Sequence, residues 1–483
     1  MTLADLLLDE GLAIDTADLT VRGLTLDSRK VEPGFVFAAL PGVKVHGRDF
    51  IPKALANGAA VILTDTPVEA SVPVIIVDEP AALLARMAAR FHPRQPGHIV
   101  AITGTNGKSS TVEFLRQIWA GAGLEAACLG TLGVTRGDQV EVTGYTTPDA
   151  VALQAALDRL AGEGVTHLAM EASSHGLKQH RMDGVRLQVG AFTNLTQDHL
   201  DYHPDFADYF ASKLKLFTER LPATGRAVIN VDSEWGGKMA DAARARGLEV
   251  LTLGWRGRDL TIREITPRAA SQSVVFSWRG TDHALDIPLV GEFQILNALG
   301  AAAIALADGV AEASVLASLK TLGGVPGRLE KVGETADKAP VLVDYAHTPD
   351  GLDKLLRAAR PHTRGRVIVI FGCGGDRDAS KRSKMGVIAA NQADHIIVTD
   401  DNPRSEDPAL IRQAILKGCP QAEEMADRAE AIRRGVAMLR AGDCLLIAGK
   451  GHETGQTVGD VVHPFDDREQ GRQALAEREA ARV

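Results

Sequence analysis

The chain has 483 residues, more than one hydrophobic core usually organises, so we expect two to four domains. Hydrophobic residues make up 45% of it and charged residues 24%, a composition typical of water-soluble globular proteins. The formal net charge of −9 argues against a polybasic nucleic-acid-binding surface, so a few well-placed cations would have to bind any anionic substrate.

Targeting signals are not evident. Residues 1–12 carry acids and no cleavage-site pattern, which predicts no signal peptide. No apolar run approaches the ~18 residues that cross a bilayer, so no membrane insertion is expected. The four cysteines are widely spaced and form no CxxC pair, which favours reduced, buried thiols over disulfides or zinc. We expect a cytoplasmic monomer that binds no nucleic acid.

Residues 1–95 alternate short apolar runs with helical stretches. The patterning predicts strands at residues 36–40, 60–63 and 74–77. It predicts helices at residues 51–57 and 80–91. This is the pattern of a small α/β domain. The Pro- and Gly-containing segment 92–97 (HPRQPG) is predicted to be a linker.

Two further α/β domains are predicted, over residues 96–330 and 331–483. Strands of the first, each in a strand-then-helix unit, are predicted at residues 99–102, 168–170 and 227–230. Strands of the second, each running into a Gly-rich or charged turn, are predicted at residues 367–371, 395–399 and 444–448. Because parallel α/β sheets bind ligands at the carboxyl ends of their strands, these turns are expected to line one site.

A glycine-containing loop follows the strand at 99–102. Glycine lets residues 103–109 (TGTNGKS) curl until several N–H groups point inward, and the N-terminus of the helix that follows adds positive charge. Lys108 can bridge the outer phosphates of a nucleotide, and the Ser109 hydroxyl suits Mg²⁺. The GxxxxGK[ST] pattern fails because its first glycine falls on Ile102. The order strand, loop, helix nevertheless favours phosphate binding over a turn that only starts a helix.

Short blocks along nearly the whole chain resemble the Mur ligase family, which also includes folylpolyglutamate synthetases. After the shortened loop GTNGK[ST] they follow in family order, at residues 146–148 (TTP), 171–175 (EASSH), 179–181 (QHR), 193–203 (TNLTQDHLDYH), 327–330 (GRLE), 344–349 (DYAHTP), 372–377 (GCGGDR), 401–404 (DNPR) and 449–453 (GKGHE). Chance explains one such block easily and the series hardly at all.

The resemblance implies an architecture and a reaction. It implies α/β architecture with a UDP-binding N-terminal domain, a central P-loop ATPase-like domain with a mostly parallel sheet, and a Rossmann-like C-terminal domain. The family uses ATP and Mg²⁺ to convert a carboxylate into an acyl phosphate, which an amine then attacks. Within the family, the chain looks like the group that extends the D-Glu γ-carboxyl of UDP-MurNAc-L-Ala-D-Glu in peptidoglycan precursor synthesis.

The resemblance also assigns catalytic and metal-binding roles. Lys108 would act on the phosphates, with Ser109, Glu171, His199 and a carbamylated Lys213 as Mg²⁺ ligands. Carbamylation by CO₂ would turn the Lys213 cation into a carboxylate. Taken alone, Glu171 could equally be a helix-capping acid, His199 would more often be structural, and Lys213 would be a surface lysine.

Two larger sets follow from the same resemblance. Those expected to bind ATP are Gly104, Thr105, Asn106, Gly107, Lys108, Ser109, Ser110, Asn297, Arg328 and Asp344. Those expected to bind the UDP-linked substrate are Leu26, Ser28, Thr146, Thr147, Ser173, Gln179 and Arg181. For Arg328 a linker salt bridge is a serious alternative.

Residues 401–404 (DNPR) bear on which amino acid is added. Pro403 restrains the turn, so that Arg404 projects in a fixed direction. A guanidinium offers two parallel donors to a carboxylate, a group that the side chain of a lysine substrate lacks. The tetrapeptide resembles the diaminopimelate-adding subgroup, which implies that meso-diaminopimelate contacts Arg377, Asp401, Asn402, Pro403, Arg404, Gly449 and Glu453. Without the block at 449–453, a surface turn arginine would be the better interpretation of Arg404.

Other functions stay open at this point. A lysine- or ornithine-adding ligase and a folylpolyglutamate synthetase are rivals within the enzymes, and DNPR with a separate N-terminal domain disfavours the synthetase. A nucleotide-dependent switch is the rival from another class. A switch would bind or hydrolyse nucleotide without a carboxylate acceptor, whereas a ligase releases phosphate only with acceptor and amine together.

Overall fold

The computed structural model describes residues 1–12, 18–42, 45–142, 144–196, 202–268 and 271–481. The chain divides into two units, one formed by Met1–Leu260 with Gly300–Val315 and the other by Thr261–Leu299 with Leu316–Val483. The predicted boundaries of three domains stay a prediction. Within the described residues, no helix is both long and apolar enough to cross a membrane.

The first unit begins with a small parallel sheet. Its strands, in spatial order, are β1 (Gly23–Thr25), β2 (Phe35–Ala38), β3 (Val61–Thr64) and β4 (Val74–Ile76). Its helices are α1 (Leu3–Leu6), α2 (Ile51–Ala56) and α3 (Pro80–Phe91). Proline starts α3 at a position where its missing N–H costs nothing. The strands and helices predicted from residues 36–91 are confirmed.

A larger sheet follows in the same unit. Its strands in chain order are β5 (His98–Thr103), β6 (Ala126–Gly130), β7 (Gly133–Arg136), β8 (Gln139–Glu141), β9 (His167–Glu171), β10 (Val189–Phe192), β11 (Arg226–Asn230) and β12 (Glu249–Gly254). Their spatial order is β12-β11-β10-β5-β9-β6-β7-β8, and the first six are parallel. Its helices are α4 (Lys108–Gly121), α5 (Ala150–Gly162), α6 (Ser174–Lys178), α7 (Phe206–Lys215) and α8 (Glu234–Ala245). Because β5 is central, the loop after it emerges in the middle of the sheet, where such folds bind ligands.

The remaining elements include two antiparallel pairs of strands and a six-stranded sheet. In chain order they are β13 (Leu260–Pro267), β14 (Gln272–Trp278), β15 (Thr281–Ile287), α9 (Glu292–Ala307), α10 (Glu312–Leu319), β16 (Glu330–Glu334), β17 (Pro340–Asp344), α11 (Pro349–Ala359), β18 (Val367–Phe371), α12 (Lys381–Gln392), β19 (His395–Val398), α13 (Pro408–Leu416), β20 (Glu423–Glu424), α14 (Arg428–Ala437), β21 (Cys444–Ala448), β22 (Gly455–Val458), β23 (Val461–Pro464) and α15 (Asp467–Ala480). The six-stranded sheet has the order β16-β17-β21-β18-β19-β20 and is parallel except for β16.

Strand β18 shows how this sheet is covered. Val367 and Val369 belong to one apolar cluster, with residues of α11, α12 and α13. Ile368 and Ile370 belong to the other, with residues of α14 and α15. A strand buried on both faces is apolar throughout, which is why β18 was predictable as a short continuous run. The predicted α/β class is confirmed. All four cysteines are free and buried.

Candidate active site

The loop between β5 and α4 is tightly curled, and two of its carbonyl groups accept hydrogen bonds from the Lys108 side chain. Gly104 and Gly107 have φ of 148° and 88°, which favour glycine, and a Cβ on Gly104 would overlap Thr193 Oγ1. Lys108 Nζ donates to the carbonyls of Gly104 and Thr105 at 3.1 and 2.9 Å. Its ammonium therefore lies over the loop that was predicted to hold phosphate.

The segment after β10 holds this loop in place. Thr105 N donates to Asn194 O at 2.9 Å, and Asn106 N donates to Asn194 Oδ1 at 3.0 Å. Thr193 Oγ1 donates to Asn106 O at 2.7 Å. Residues 193–203 are one of the blocks that resemble the Mur ligase family, but no role was predicted for Thr193 or Asn194. These hydrogen bonds show that both residues hold the loop.

Lys213 lies under the same loop, on α7. Its side chain is 1% exposed, and its Nζ donates to Gly104 O at 2.8 Å and lies 4.4 Å from the centroid of the Tyr209 ring. The surface-lysine interpretation is wrong. Ser109 and Ser110 are buried at the start of α4. His199 lies outside the described residues, so its predicted role stays a prediction.

Glu171, the last residue of β9, is 1% exposed. Its Oε1 accepts a hydrogen bond from Thr131 N at 2.8 Å, and its Oε2 accepts one from Thr131 Oγ1 at 3.3 Å. The helix-capping interpretation is wrong, because Ser173 caps α6 through a bond from Gly176 N. The sequence contained no signal that would have identified Thr131.

Five residues predicted to bind the UDP-linked substrate form one hydrogen-bonded cluster beside Glu171. Thr147 Oγ1 donates to Glu171 O at 2.9 Å and accepts from Ser173 N and Oγ, each at 3.1 Å. Arg181 donates to Thr147 O at 2.6 Å and twice to Gln179 Oε1, at 2.6 and 3.1 Å. The fifth member, Thr146, is joined to Glu171 through Thr131: its hydroxyl lies 3.0 Å from Thr131 Oγ1, which also contacts Glu171 Oε2.

Electrostatics in this cluster favour an anion. Burial lowers the pKa of Arg181 from its usual value, with Asp149 acting in the opposite direction. An arginine guanidinium keeps its positive charge in proteins, so Arg181 can still attract an added negative charge. The other two predicted residues, Leu26 and Ser28, lie after β1, one 40% exposed and the other buried. No hydrogen bond among the described residues joins either of them to the cluster.

The second unit brings together three residues predicted to bind ATP. Asn297 Nδ2 donates to Gln294 Oε1 at 3.1 Å, and Gln294 Nε2 donates to Arg328 O at 2.8 Å. Asp344 accepts from Leu329 N at 2.7 Å and from Ala346 N at 2.8 Å. Burial raises the pKa of Asp344, and the Arg328 charge and both N–H groups oppose that rise. The Arg328 guanidinium lies over the ring of Tyr345, 4.7 Å from its centroid.

Two turns at the carboxyl ends of β18 and β19 meet around Arg404. Gly375 N donates to Asn402 O at 2.9 Å, and Arg404 Nη1 donates to Gly375 O at 2.7 Å. Backbone bonds to β22 and the residue after it hold Arg404, whose N donates to Thr457 O and whose O accepts from Gly459 N. The guanidinium is therefore oriented before any substrate arrives, which argues against an unconstrained surface arginine. Arg377 is exposed on the first turn.

The turn after β21 joins the same group. Asn402 Nδ2 donates to Glu453 Oε2 at 2.9 Å. Asp401 is buried and accepts from Asn402 N at 2.8 Å, while its Oδ2 has no hydrogen-bond partner in the described part of the chain. A Cβ on Gly449, at φ 120°, would lie 2.6 Å from that oxygen. Four residues of the predicted diaminopimelate set are thus brought together by hydrogen bonds: Asp401, Asn402, Arg404 and Glu453. Pro403 lies between two of them in the chain.

Comparisons with known proteins agree with this arrangement. Three family models match the chain: "Mur ligase family, catalytic domain" over residues 20–92, "Mur ligase middle domain" over 102–305 and "Mur ligase, glutamate ligase domain" over 327–451. A protein of Agrobacterium fabrum is 49% identical over 100% of this chain and 97% of its own length. One of Bradyrhizobium diazoefficiens is 50% identical over 98% of both.

Both relatives bear the name UDP-N-acetylmuramoyl-L-alanyl-D-glutamate–2,6-diaminopimelate ligase. A solved structure of a ligase of that same name superposes with a TM-score of 0.75 at 31% identity, covering 99% of each chain. The family models, the relatives and the fold agree over nearly the whole sequence. The chain belongs to the Mur ligase family.

Proposed function

We propose that the chain is an ATP-dependent ligase that joins meso-diaminopimelate to the D-Glu γ-carboxyl of UDP-MurNAc-L-Ala-D-Glu. The observation that carries the proposal is the orientation of Arg404, because a fixed guanidinium selects an amine donor with an acid at its far end. The names of the relatives support the same substrates. The proposed domains are a UDP-substrate-binding domain (1–95), an ATP-binding domain (96–330) and an amino-acid-binding domain (331–483).

The phosphate loop is proposed to bind the triphosphate of ATP. Its N–H groups and the N-terminus of α4 supply partial positive charge, and Lys108 supplies a full one. In the structure Lys108 donates to two loop carbonyls, which phosphate oxygens would replace as stronger, charge-assisted acceptors. Asn297, Arg328 and Asp344 are also proposed to bind ATP, with Asp344 on the ribose hydroxyls.

The residues around the loop fit Mg²⁺. Magnesium prefers oxygen ligands, and the Ser109 hydroxyl and the buried Glu171 carboxylate are oxygen donors of that kind. Carbamylated Lys213 would add a second carboxylate, and its position under Gly104 supports that assignment. Bound there, the metal would screen the negative charges of phosphate and carboxylate from each other. His199 is the remaining proposed ligand.

The reaction faces two difficulties: a carboxylate is a poor electrophile, and it must be brought close to the negatively charged triphosphate. The cluster of Thr146, Thr147, Ser173, Gln179 and Arg181 is proposed to hold the anionic UDP-linked substrate with its γ-carboxyl towards the triphosphate. Transfer of the γ-phosphoryl group makes an acyl phosphate, a far better electrophile than the carboxylate. The neutral amine of diaminopimelate then attacks its carbonyl carbon, and inorganic phosphate leaves from the tetrahedral intermediate.

At the other end of the amine donor, Arg404 and Arg377 are proposed to bind the distal carboxylate. Glu453 and the Gly449 carbonyl are proposed to bind the distal ammonium. A lysine substrate would leave the oriented Arg404 guanidinium without its partner, which is costly in a desolvated site. We therefore expect diaminopimelate to be preferred over lysine.

One experiment tests the proposal. Phosphate release is followed with ATP, Mg²⁺ and UDP-MurNAc-L-Ala-D-Glu while the amine is varied among meso-diaminopimelate, L-lysine and L-ornithine. We expect release that needs acceptor and diaminopimelate together. Release without the acceptor would favour a nucleotide switch, and comparable rates with lysine would contradict the proposed selectivity.

A further inference from the structure

Lys450 is the second residue of the turn after β21, and its side chain is wholly buried, with 0% of its surface exposed. A lysine is almost never fully buried unless a partner compensates its charge. Its Nζ donates to Asn402 Oδ1 and to Glu453 Oε2, each at 3.1 Å. Both acceptors belong to the set proposed to bind diaminopimelate, whereas Lys450 itself does not.

These bonds fix the orientation of Asn402. Its Oδ1 also accepts from Thr457 N at 2.9 Å, so two donors face that oxygen and a flipped amide would place its NH₂ against both. With Oδ1 committed, Nδ2 is directed at Glu453 Oε2. Lys450 and the Thr457 N–H together therefore set which way the amide points.

The same bonds engage only one of the two oxygens of the Glu453 carboxylate. Oε2 accepts from both Asn402 and Lys450, whereas Oε1 accepts no hydrogen bond from the described residues. The Glu453 side chain is 34% exposed, so without an internal anchor it could swing into solvent. One oxygen is anchored and the other is left for a ligand.

We propose that Lys450 is a positioning residue for the amine substrate: its buried ammonium holds Asn402 and Glu453 so that Glu453 Oε1 meets the distal ammonium of diaminopimelate. The inference rests on the proposed function of this turn. Lys450 acts through its two partners and does not touch the substrate. Its loss is therefore expected to weaken amine binding specifically.

The test is a double-mutant cycle on the full-length protein with Lys450→Met, Glu453→Gln and the double variant. Methionine keeps the length of the buried side chain and removes its charge. We expect Lys450→Met to raise the KM for diaminopimelate about 10- to 100-fold, the scale of a displaced binding group, and to leave the KM for ATP within about threefold. In the Glu453→Gln background the same change should raise the KM by less than about threefold, because the group it positions is already lost.

The exposed Lys417→Met is the matched control and should leave every KM unchanged. If Lys450→Met cannot be obtained folded, Lys450→Gln, which is uncharged and shorter but keeps an NH₂ donor group, replaces it under the same criteria. Additive effects in the cycle, or an equal rise in the KM for ATP, would show a merely structural lysine and overturn the inference. A wild-type protein that adds no diaminopimelate would overturn the proposed function and the inference together.

Discussion

Replacing Arg404 tests the selectivity argument most directly. In Arg404→Ala the fork of donors disappears while the backbone keeps its bonds to Thr457 and Gly459. Arginine and alanine both carry a Cβ, so the left-handed backbone at φ 52° is strained in both, and the change isolates the side chain. The Nη1 donor is already used by Gly375 O, which leaves the rest of the guanidinium for a substrate carboxylate.

Two hydrogen bonds to a charged carboxylate contribute at least about 3 kcal/mol together, at roughly 1.5 kcal/mol each. That corresponds to about a 150-fold loss in kcat/KM for diaminopimelate, since about 1.4 kcal/mol is a factor of ten. L-lysine lacks the second carboxylate, so its kcat/KM should not fall, and it should rise to the extent that the unpaired Arg404 guanidinium disfavours lysine in the wild type. Arg404→Lys should fall between, because an ammonium keeps the charge and loses the fork.

The assay is phosphate release with each amine at saturating ATP and acceptor. The exposed Arg364→Ala serves as the control for loss of one surface guanidinium in the same unit. An Arg404→Ala variant that keeps the wild-type ratio of kcat/KM for diaminopimelate to kcat/KM for lysine, whatever its absolute rate, would show that Arg404 does not select the amine.

Three further perturbations probe the rest of the site. In Gly130→Ala the new Cβ overlaps the Glu171 carboxylate, so phosphate release should fall more than about tenfold without a matching loss of thermal stability. Lys213→Ala should abolish activity, and wild-type activity should fall in CO₂-free buffer and return with bicarbonate, measured as the initial rate. Burial, with Arg328 next, lowers the pKa of His452 to about 4 from 6.5. The unfolded chain therefore binds more protons between these values, so stability is lost as pH falls through this window. Between pH 7 and about pH 4.5, the free energy of unfolding should therefore fall by up to about 2 kcal/mol less in His452→Gln than in the wild type. Urea denaturation at the two pH values measures this difference.

Each of these has a control and a contradicting result. Gly237→Ala introduces a Cβ into open space and should be neutral; equal losses in both glycine variants would contradict the Glu171 argument. Lys215→Ala, two residues from Lys213, should keep its activity. Full activity of Lys213→Ala with no bicarbonate response would remove the carbamate. A wild-type protein and His452→Gln with parallel pH dependence would contradict the buried neutral imidazole.

Local sequence was enough for the elements that repeat a simple physical pattern. Apolar runs predicted β5, β9, β18 and β21 because a strand covered on both faces must be apolar throughout. Glycine followed by Lys108 at the start of a helix predicted the curled loop, because the backbone geometry there excludes a Cβ. The patterning at residues 80–91 predicted α3, which begins at Pro80 because its ring fits the first turn of a helix.

Only tertiary structure decided what surrounds a single charged residue. Alone, Lys213 was predicted to be a surface lysine, because nothing in its neighbours along the chain shows that α7 lies against the phosphate loop. Thr131 was not predicted to contact Glu171, which lies 40 residues later in the chain. Lys450 went unassigned because its partners come from two different turns. Periodicity along a chain reports which face of an element is buried, whereas the partner of a buried charge depends on contacts between distant segments.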